Sequence, residues 1–356
     1  MLDLSRVLAG PLCSMTLGDL GADVIKVERP GGGDETRGWG PPFDDRGESA
    51  YFLSVNRNKR SLVADLDNSD DRELVLSLAR EADVVVENFL PGSLSRKGLD
   101  PATLLSENPS LIWCSIRGYR ADHKRPGYDA AVQAESGWMS VTGEPDGRPM
   151  KMPVAVIDVL TGKDAAIAIL AGLAGRRQQP PQDRHLIITL GGSALAALVN
   201  VAQNVLVSGR EAARWGNAHA NLVPYQLFET ADRPIVIAVG SDAQWRALTG
   251  VLGDPELSAD QTLGTNAGRV MQRARCVDTV QRILRSEGAT HWTSQCERVG
   301  VPVGEVRSVL EALAGSGASP LSGVPSSVGG GVFRPPPRLG EHTAEIRRDG
   351  WGPAAN

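Results

Sequence analysis

Along the first 120 residues, short apolar runs alternate with longer stretches whose apolar positions recur every three or four residues. LDL, ADVIKVE, RSLVADL, ADVVVENF and SLIWCSI have strand length and β-branched content, while PLCSMTLGDLG, DDRELVLSLAREA and DPATLLSEN between them carry helical spacing. Strands alternating with helices predict a parallel, doubly wound sheet, because a crossover of that length returns the chain to the sheet in the same direction. The first strand is expected to be clipped, with the chain beginning inside it.

From 154 to 173 the chain reads VAVIDVLTGKDAAIAILAGL. VAVIDV predicts a further strand and residues 162–175 a helix, with Ile167, Leu170 and Leu173 on one face. The polar loop GRRQQPPQDRH follows, and SALAALVNVAQNVLVSG then predicts one helix ended by Gly209. Beyond about 215 the pattern changes. YQLFET and PIVIAVG form a predicted hairpin around ADR, with helical spacing over 241–252, 267–287 and 290–299. The expected division is a large α/β domain over 1–205 and a smaller α+β domain over 215–305. The Gly-, Pro- and Ser-rich segment 306–356 follows, regaining a helix start at Thr343.

Composition narrows the classes of function. The 356 residues are 41% hydrophobic and 22% charged, with a net charge of −5, which excludes a general nucleic-acid or anionic-membrane binder. Apolar runs stop short of a bilayer span, the longest ending at Arg176 and Arg177. The first fifteen residues do not read as a signal peptide, so a cytoplasmic location is expected. The four cysteines are scattered, without CxxC spacing or a neighbouring His pair, and predict packed thiols with no metal.

The turn after the first strand lacks GxGxxG, which argues against a nicotinamide or flavin, and neither GxxxxGK[ST] nor GxSxG occurs. The candidate chemistry lies elsewhere. Asp158 interrupts an apolar run, where a carboxylate is a helix cap, an ion-pair partner or a reactive group. NRNKRS gathers Arg57, Lys59 and Arg60, and Arg37 stands in a Gly/Pro loop. Cations of this kind suit a ligand with several phosphates, or a solvated loop. Asn88, Phe89, Arg96 and Lys97 follow a predicted strand end, and Tyr128 and Asp129 follow Gly127.

Taken in order, LDLSRVLAGPLCSMTLGDLGADVIKVERPGGGDETRGWGPP, SAYFLSVNRNKRSLVADL, ADVVVENFLPGSLSRKGLD, RPGYDAAVQAESG, GNAHANLVPYQLFET and RPPPRLGEHT resemble the class III CoA-transferase (CaiB/BaiF) family over nearly the whole chain. The resemblance implies a Rossmann-like large domain, a tail returning to it and two interlocked chains. It makes Asp158 the nucleophile that attacks an acyl-CoA thioester, with Gly240 in the loop that steadies the oxyanion. Arg37, Asn88, Phe89, Arg96 and Lys97 become CoA contacts, with Arg57, Lys59 and Arg60 near them and Tyr128 and Asp129 beside the thioester. Coenzyme A enters as part of the substrate, with no tightly bound cofactor, and small carboxylic acids are the other partners. Succinyl-CoA:dicarboxylate transferases look nearest. Racemases of the same family carry GHD where this chain has GYD, and a tyrosine is a poor base at neutral pH. A CoA-binding protein without turnover is the further alternative. The stretch RGYRADHKRPGYD differs from the family's usual loop.

Overall fold

The computed structural model describes residues 1–119, 125–175, 180–315, 326–328 and 331–352. The chain forms two compact units, one of Met1–Ser140, Lys151–Ala212 and Pro320–Asn356, the other of Val141–Met150 and Ala213–Ser319. Both units are therefore discontinuous in sequence, with 141–150 and 306–315 falling in the second.

In the first unit the strands are β1 (Leu2–Asp3), β2 (Val24–Glu28), β3 (Lys59–Val63), β4 (Val84–Glu87), β5 (Ile112–Arg117) and β6 (His185–Thr189). They form a parallel six-stranded sheet in the order β3-β2-β1-β4-β5-β6. Its helices are α1 (Ala9–Asp19), α2 (Ala50–Ser54), α3 (Ser69–Glu81), α4 (Pro101–Glu107), α5 (Asp129–Glu135), α6 (Trp138–Val141), α7 (Val156–Gly175), α8 (Leu190–Ala196) and α9 (Val199–Ser208). Alternation along the strands sorts side chains into two clusters. Ile25, Val85 and Trp113 join Val75 and Leu78 of α3 and Leu104 of α4, whereas Val24, Val84, Val86 and Cys114 join Cys13 of α1 and Ile169 of α7.

The expected strand at 154–159 is helix instead. Val156 starts the 20-residue α7, because the Asp129 carboxylate, delivered by α5, accepts from Ile157 N and Asp158 N and caps those free donors. Its buried positions are Ile157, Thr161, Gly162, Ala165, Ala166, Ile169 and Gly172, a helical stripe of mostly small residues. A Cβ on Gly162 would lie 2.6 Å from Ala9 O, so α1 and α7 touch backbone to backbone. That inner face leaves two positions of the predicted face outside, Ile167 65% and Leu170 45% exposed, while the third, Leu173, packs against the core. The single helix predicted after Thr189 is two, bent by 70° between Ala196 and Val199. Gly209, in the left-handed region at φ 64°, ends the second.

In the second unit β7 (Tyr225–Phe228) and β8 (Ile235–Ala238) form the expected antiparallel hairpin, and β9 (Val303–Glu305) pairs with β8. The helical stretch predicted over 267–287 breaks at Gln272, between Asn266–Met271 and Arg273–Leu284. Beside the break, the fully buried Arg269 guanidinium donates to Val223 O, Leu263 O and Asp242.

The tail crosses the β3 edge of the first unit. Asn58 N donates to Arg334 O, His342 N donates to Ser61 O, and Ile346 of the helix Thr343–Asp349 enters the core beside Leu62 and Val75. All four cysteines are free and buried. Among the described residues no single helix is long and apolar enough to cross a membrane.

Candidate active site

The strand order reverses between β1 and β4, and open parallel sheets bind ligands at such a point, outside the carboxyl ends of the strands. A cleft of about 320 Å³ lies there. Arg6 to Ala9 after β1, Asn88 to Pro91 after β4, and Arg117 and Gly118 at the end of β5 line it, with Tyr128 and Asp158. A second cavity of about 180 Å³ lies beside it, lined by residues that include Lys26, Asp34, Leu66 and Lys97. The loop between β5 and α5 is pinched at its base. A Cβ on Gly127 would come within 2.3 Å of Gly118 Cα, so only two glycines permit that approach.

Asp158 stands in the first turn of α7 on this cleft. Its carboxylate accepts no hydrogen bond among the described residues. Burial, and then the charge of Asp129, push its pKa from 3.8 to about 7. Asp129 is spoken for. One oxygen takes the two α7 donors and the other accepts from Gln133 Nε2 at 2.5 Å, while Gln133 Oε1 accepts from Met152 N at 2.8 Å. Asp3, at the end of β1, makes the opposite case. Burial opposes its charge, but Lys59, Lys26 and the Ser14 and Ser5 hydroxyls hold it well below the usual carboxylate range. The two carboxylates thus differ by their partners, and the half-buried Asp158 is the one left more basic.

The sequence profile described as CoA-transferase family III matches residues 1–348. The chain is 40% identical over 98% of its length to the succinyl-CoA:glutarate CoA-transferase of Mus musculus, covering 85% of that protein. The chain belongs to CoA-transferase family III. It is also 40% identical over 97% of its length to a succinate–glutarate CoA-transferase of Agrobacterium fabrum, covering 93% of it. A solved CAIB/BAIF family protein from Brucella suis shares the fold, with a TM-score of 0.83 at 38% identity over 98% of this chain and 97% of that one.

Within this family III transferase, Asp158, Asn88, Phe89 and Tyr128 meet on the main cleft, with Phe89 and Lys97 on the second cavity. Tyr128 is 61% exposed. Lys97 pairs with Asp67, and Arg96 is exposed, donating to Ser93 Oγ at 3.2 Å. The cations of the expected basic cluster face carboxylates. Arg37 grips Glu28 through two hydrogen bonds of 2.8 Å and pairs with Glu48 at 2.7 Å, while Arg57 grips Asp19. Lys59 holds Asp3 at 3.1 Å with its own pKa pushed down to about 8 by burial, and Arg60 bridges Asp23 and Glu345. None of the four lines either cavity. Each already faces a carboxylate, so a basic run in sequence is a set of internal ion pairs in space. Gly240, in the second unit, donates its N–H to Gln244 Oε1 at 2.8 Å, so that donor is occupied. Residues 120–124 of the unusual loop lie outside the described residues.

Two groups at the site escaped the sequence reading. Tyr51 packs on Leu8 and Met15 with Val159 of α7. Its phenol is pushed up to about 12, by burial first and then by Asp158, Asp129 and Asp34. Arg6 is the other, a cation directly after β1. Tyr51 lies in SAYF, a stretch with no local mark of reactivity, and the position of Arg6 just past the first strand was the one available signal.

Proposed function

We propose that this chain moves coenzyme A from an acyl-CoA, succinyl-CoA first, to a small dicarboxylic acid, with Asp158 as the nucleophile. The observation that carries the reading is the unpartnered Asp158 carboxylate, raised to about 7, at the β1/β4 cleft. Desolvation makes a carboxylate more nucleophilic than it is in water. Its oxygen attacks the thioester carbonyl and expels CoA thiolate, leaving an acyl-aspartyl anhydride. The thiolate then attacks the aspartyl carbonyl and releases the donor acid, which gives an aspartyl-CoA thioester. The acceptor carboxylate displaces thiolate from that thioester to form a second anhydride. Thiolate attack on the acceptor's acyl carbon frees Asp158 and yields the new acyl-CoA. The choice of donor and acceptor rests on the names of the relatives above.

The exposed apolar face of the first unit supports a homodimer. It comprises Ile167 of α7, Leu195 of α8 and Val199, Leu206 and Val207 of α9, each at least 59% exposed. In the interlocked form, each tail follows the β3 edge of a large unit.

The test is incubation with succinyl-CoA and a panel of acids, read by mass. New acyl-CoA species are expected with glutarate. In the absence of acceptor, a CoA adduct is expected on the peptide bearing Asp158 and none on Asp158→Asn. Transfer that persists in Asp158→Asn refutes the assignment.

A further inference from the structure

Among the described residues, Arg6 and Phe89 alone line both cavities. The main chain at Arg6 is held firmly. The Asn88 side chain accepts from Arg6 N at 3.0 Å and donates to Arg6 O at 2.7 Å. The next residue, Val7, takes a φ of +71°, which a β-branched residue adopts only under constraint, and its N–H donates to the Asp34 carboxylate at 3.2 Å.

The side chain is held much less well. Arg6 Nη1 meets Glu35 Oε1 at 2.5 Å through a single contact, and the guanidinium carbon lies 5.3 Å from the Phe89 ring centre. Arg6 Nε and Glu35 Oε2 are both buried without a hydrogen-bond partner. A pair that desolvates a donor and an acceptor and satisfies neither is a poor resting state, because orphaned polar groups are costly. Any oxyanion that offers two oxygens to the guanidinium fork competes well with it.

On the proposed transferase reading, the ligand has a nucleotide part and a thioester arm joined by a diphosphate. With the arm reaching Asp158 in the larger cavity and the nucleotide in the smaller, the joining diphosphate falls at the boundary that Arg6 occupies. We propose that Arg6 exchanges its contact with Glu35 for the diphosphate of the acyl-CoA. Arg6 thereby sets affinity for the nucleotide-bearing end of the thioester and leaves the acceptor alone.

Calorimetric titration of free CoA into the full chain tests this apart from turnover. Arg6→Gln is expected to weaken CoA binding by about 10–100-fold, with partial recovery in Arg6→Lys. Succinyl-pantetheine, which lacks the diphosphate, is expected to react with the same kcat/KM in Arg6→Gln and the parent. The KM for glutarate is expected to stay unchanged, and Glu35→Gln to bind CoA at least as tightly as the parent. Thermal unfolding of each variant reports that it is folded. Equal CoA affinity in Arg6→Gln and the parent overturns the inference, as does a raised glutarate KM with CoA binding intact, which moves Arg6 to the acceptor. A merely structural pair predicts equal weakening in Arg6→Gln and Glu35→Gln, and that result also overturns it. A parent chain that binds no CoA defeats the transferase reading and this inference with it.

Discussion

Asp158→Asn separates the chemistry of the carboxylate from its cost to the fold. A folded-state pKa of about 7 against an ordinary 3.8 means that between those values the folded chain holds a proton the unfolded chain has lost. Stability therefore falls as pH rises from about 4 to 7, and the whole penalty is present above that range. The gap between the two values corresponds to roughly 4 kcal/mol, which water in the open cleft reduces to about 2–4 kcal/mol. Asparagine keeps the shape and carries no charge. Asp158→Asn is thus expected to exceed the parent by about 2–4 kcal/mol at pH 8.5, and by about 1 kcal/mol at pH 4.5, where the folded parent is protonated. In a unit of this size the alkaline difference raises Tm by roughly 5–12 °C. On the proposed mechanism activity moves the other way, with transfer reduced at least ~10³-fold and the parent's kcat/KM rising with pH through about 7 as Asp158 ionises. Urea and thermal unfolding of both proteins at the two pH values provide the measurement. A stability difference that is the same at pH 4.5 and 8.5 refutes the argument, because it shows that Asp158 does not titrate between them.

Gly127→Ala places a Cβ against Gly118 Cα and is expected to cost roughly 1–3 kcal/mol by urea denaturation, with reduced transfer as the neck beside the cleft opens. Unchanged stability would mean that the loop accommodates a methyl group freely. Lys59→Met removes a buried partner of Asp3 and is expected to destabilise the chain by about 3–5 kcal/mol at neutral pH; a loss below 1 kcal/mol would show that Lys26 and the serines suffice. If the proposed dimer forms through this face, Leu206→Asp, at a position 77% exposed on α9, shifts it to monomer in light scattering. A mass unchanged by that substitution and by Ile167→Asp would remove this face from the interface.

The alternation of elements in the first 120 residues was legible because each is declared locally. Ser49, Asn68 and Asp100 cap helices through their own side chains, and the apolar period tells strand from helix wherever a run is long enough. The run before Asp158 was too short for that. Val-Ala-Val-Ile suits either state, and the decision came from Asp129, 29 residues earlier, which caps α7. The internal pairing of the basic cluster was illegible for a related reason. Arg57 meets Asp19 and Lys59 meets Asp3, partners 38 and 56 residues away that no local pattern announces.

By itself, then, the sequence determined the α/β order of the large unit, the hairpin of the small one, and an aspartate set in an apolar segment of a transferase-like chain. These follow from backbone geometry and side-chain period, which act over a few residues. The tertiary structure alone decided which charges are neutralised, which face of α7 is buried, and that Asp158 and Arg6 share one cleft. A charge's role depends on what stands within a few ångströms of it, and for these groups the neighbours are set by the crossing of strands and helices far apart in the chain.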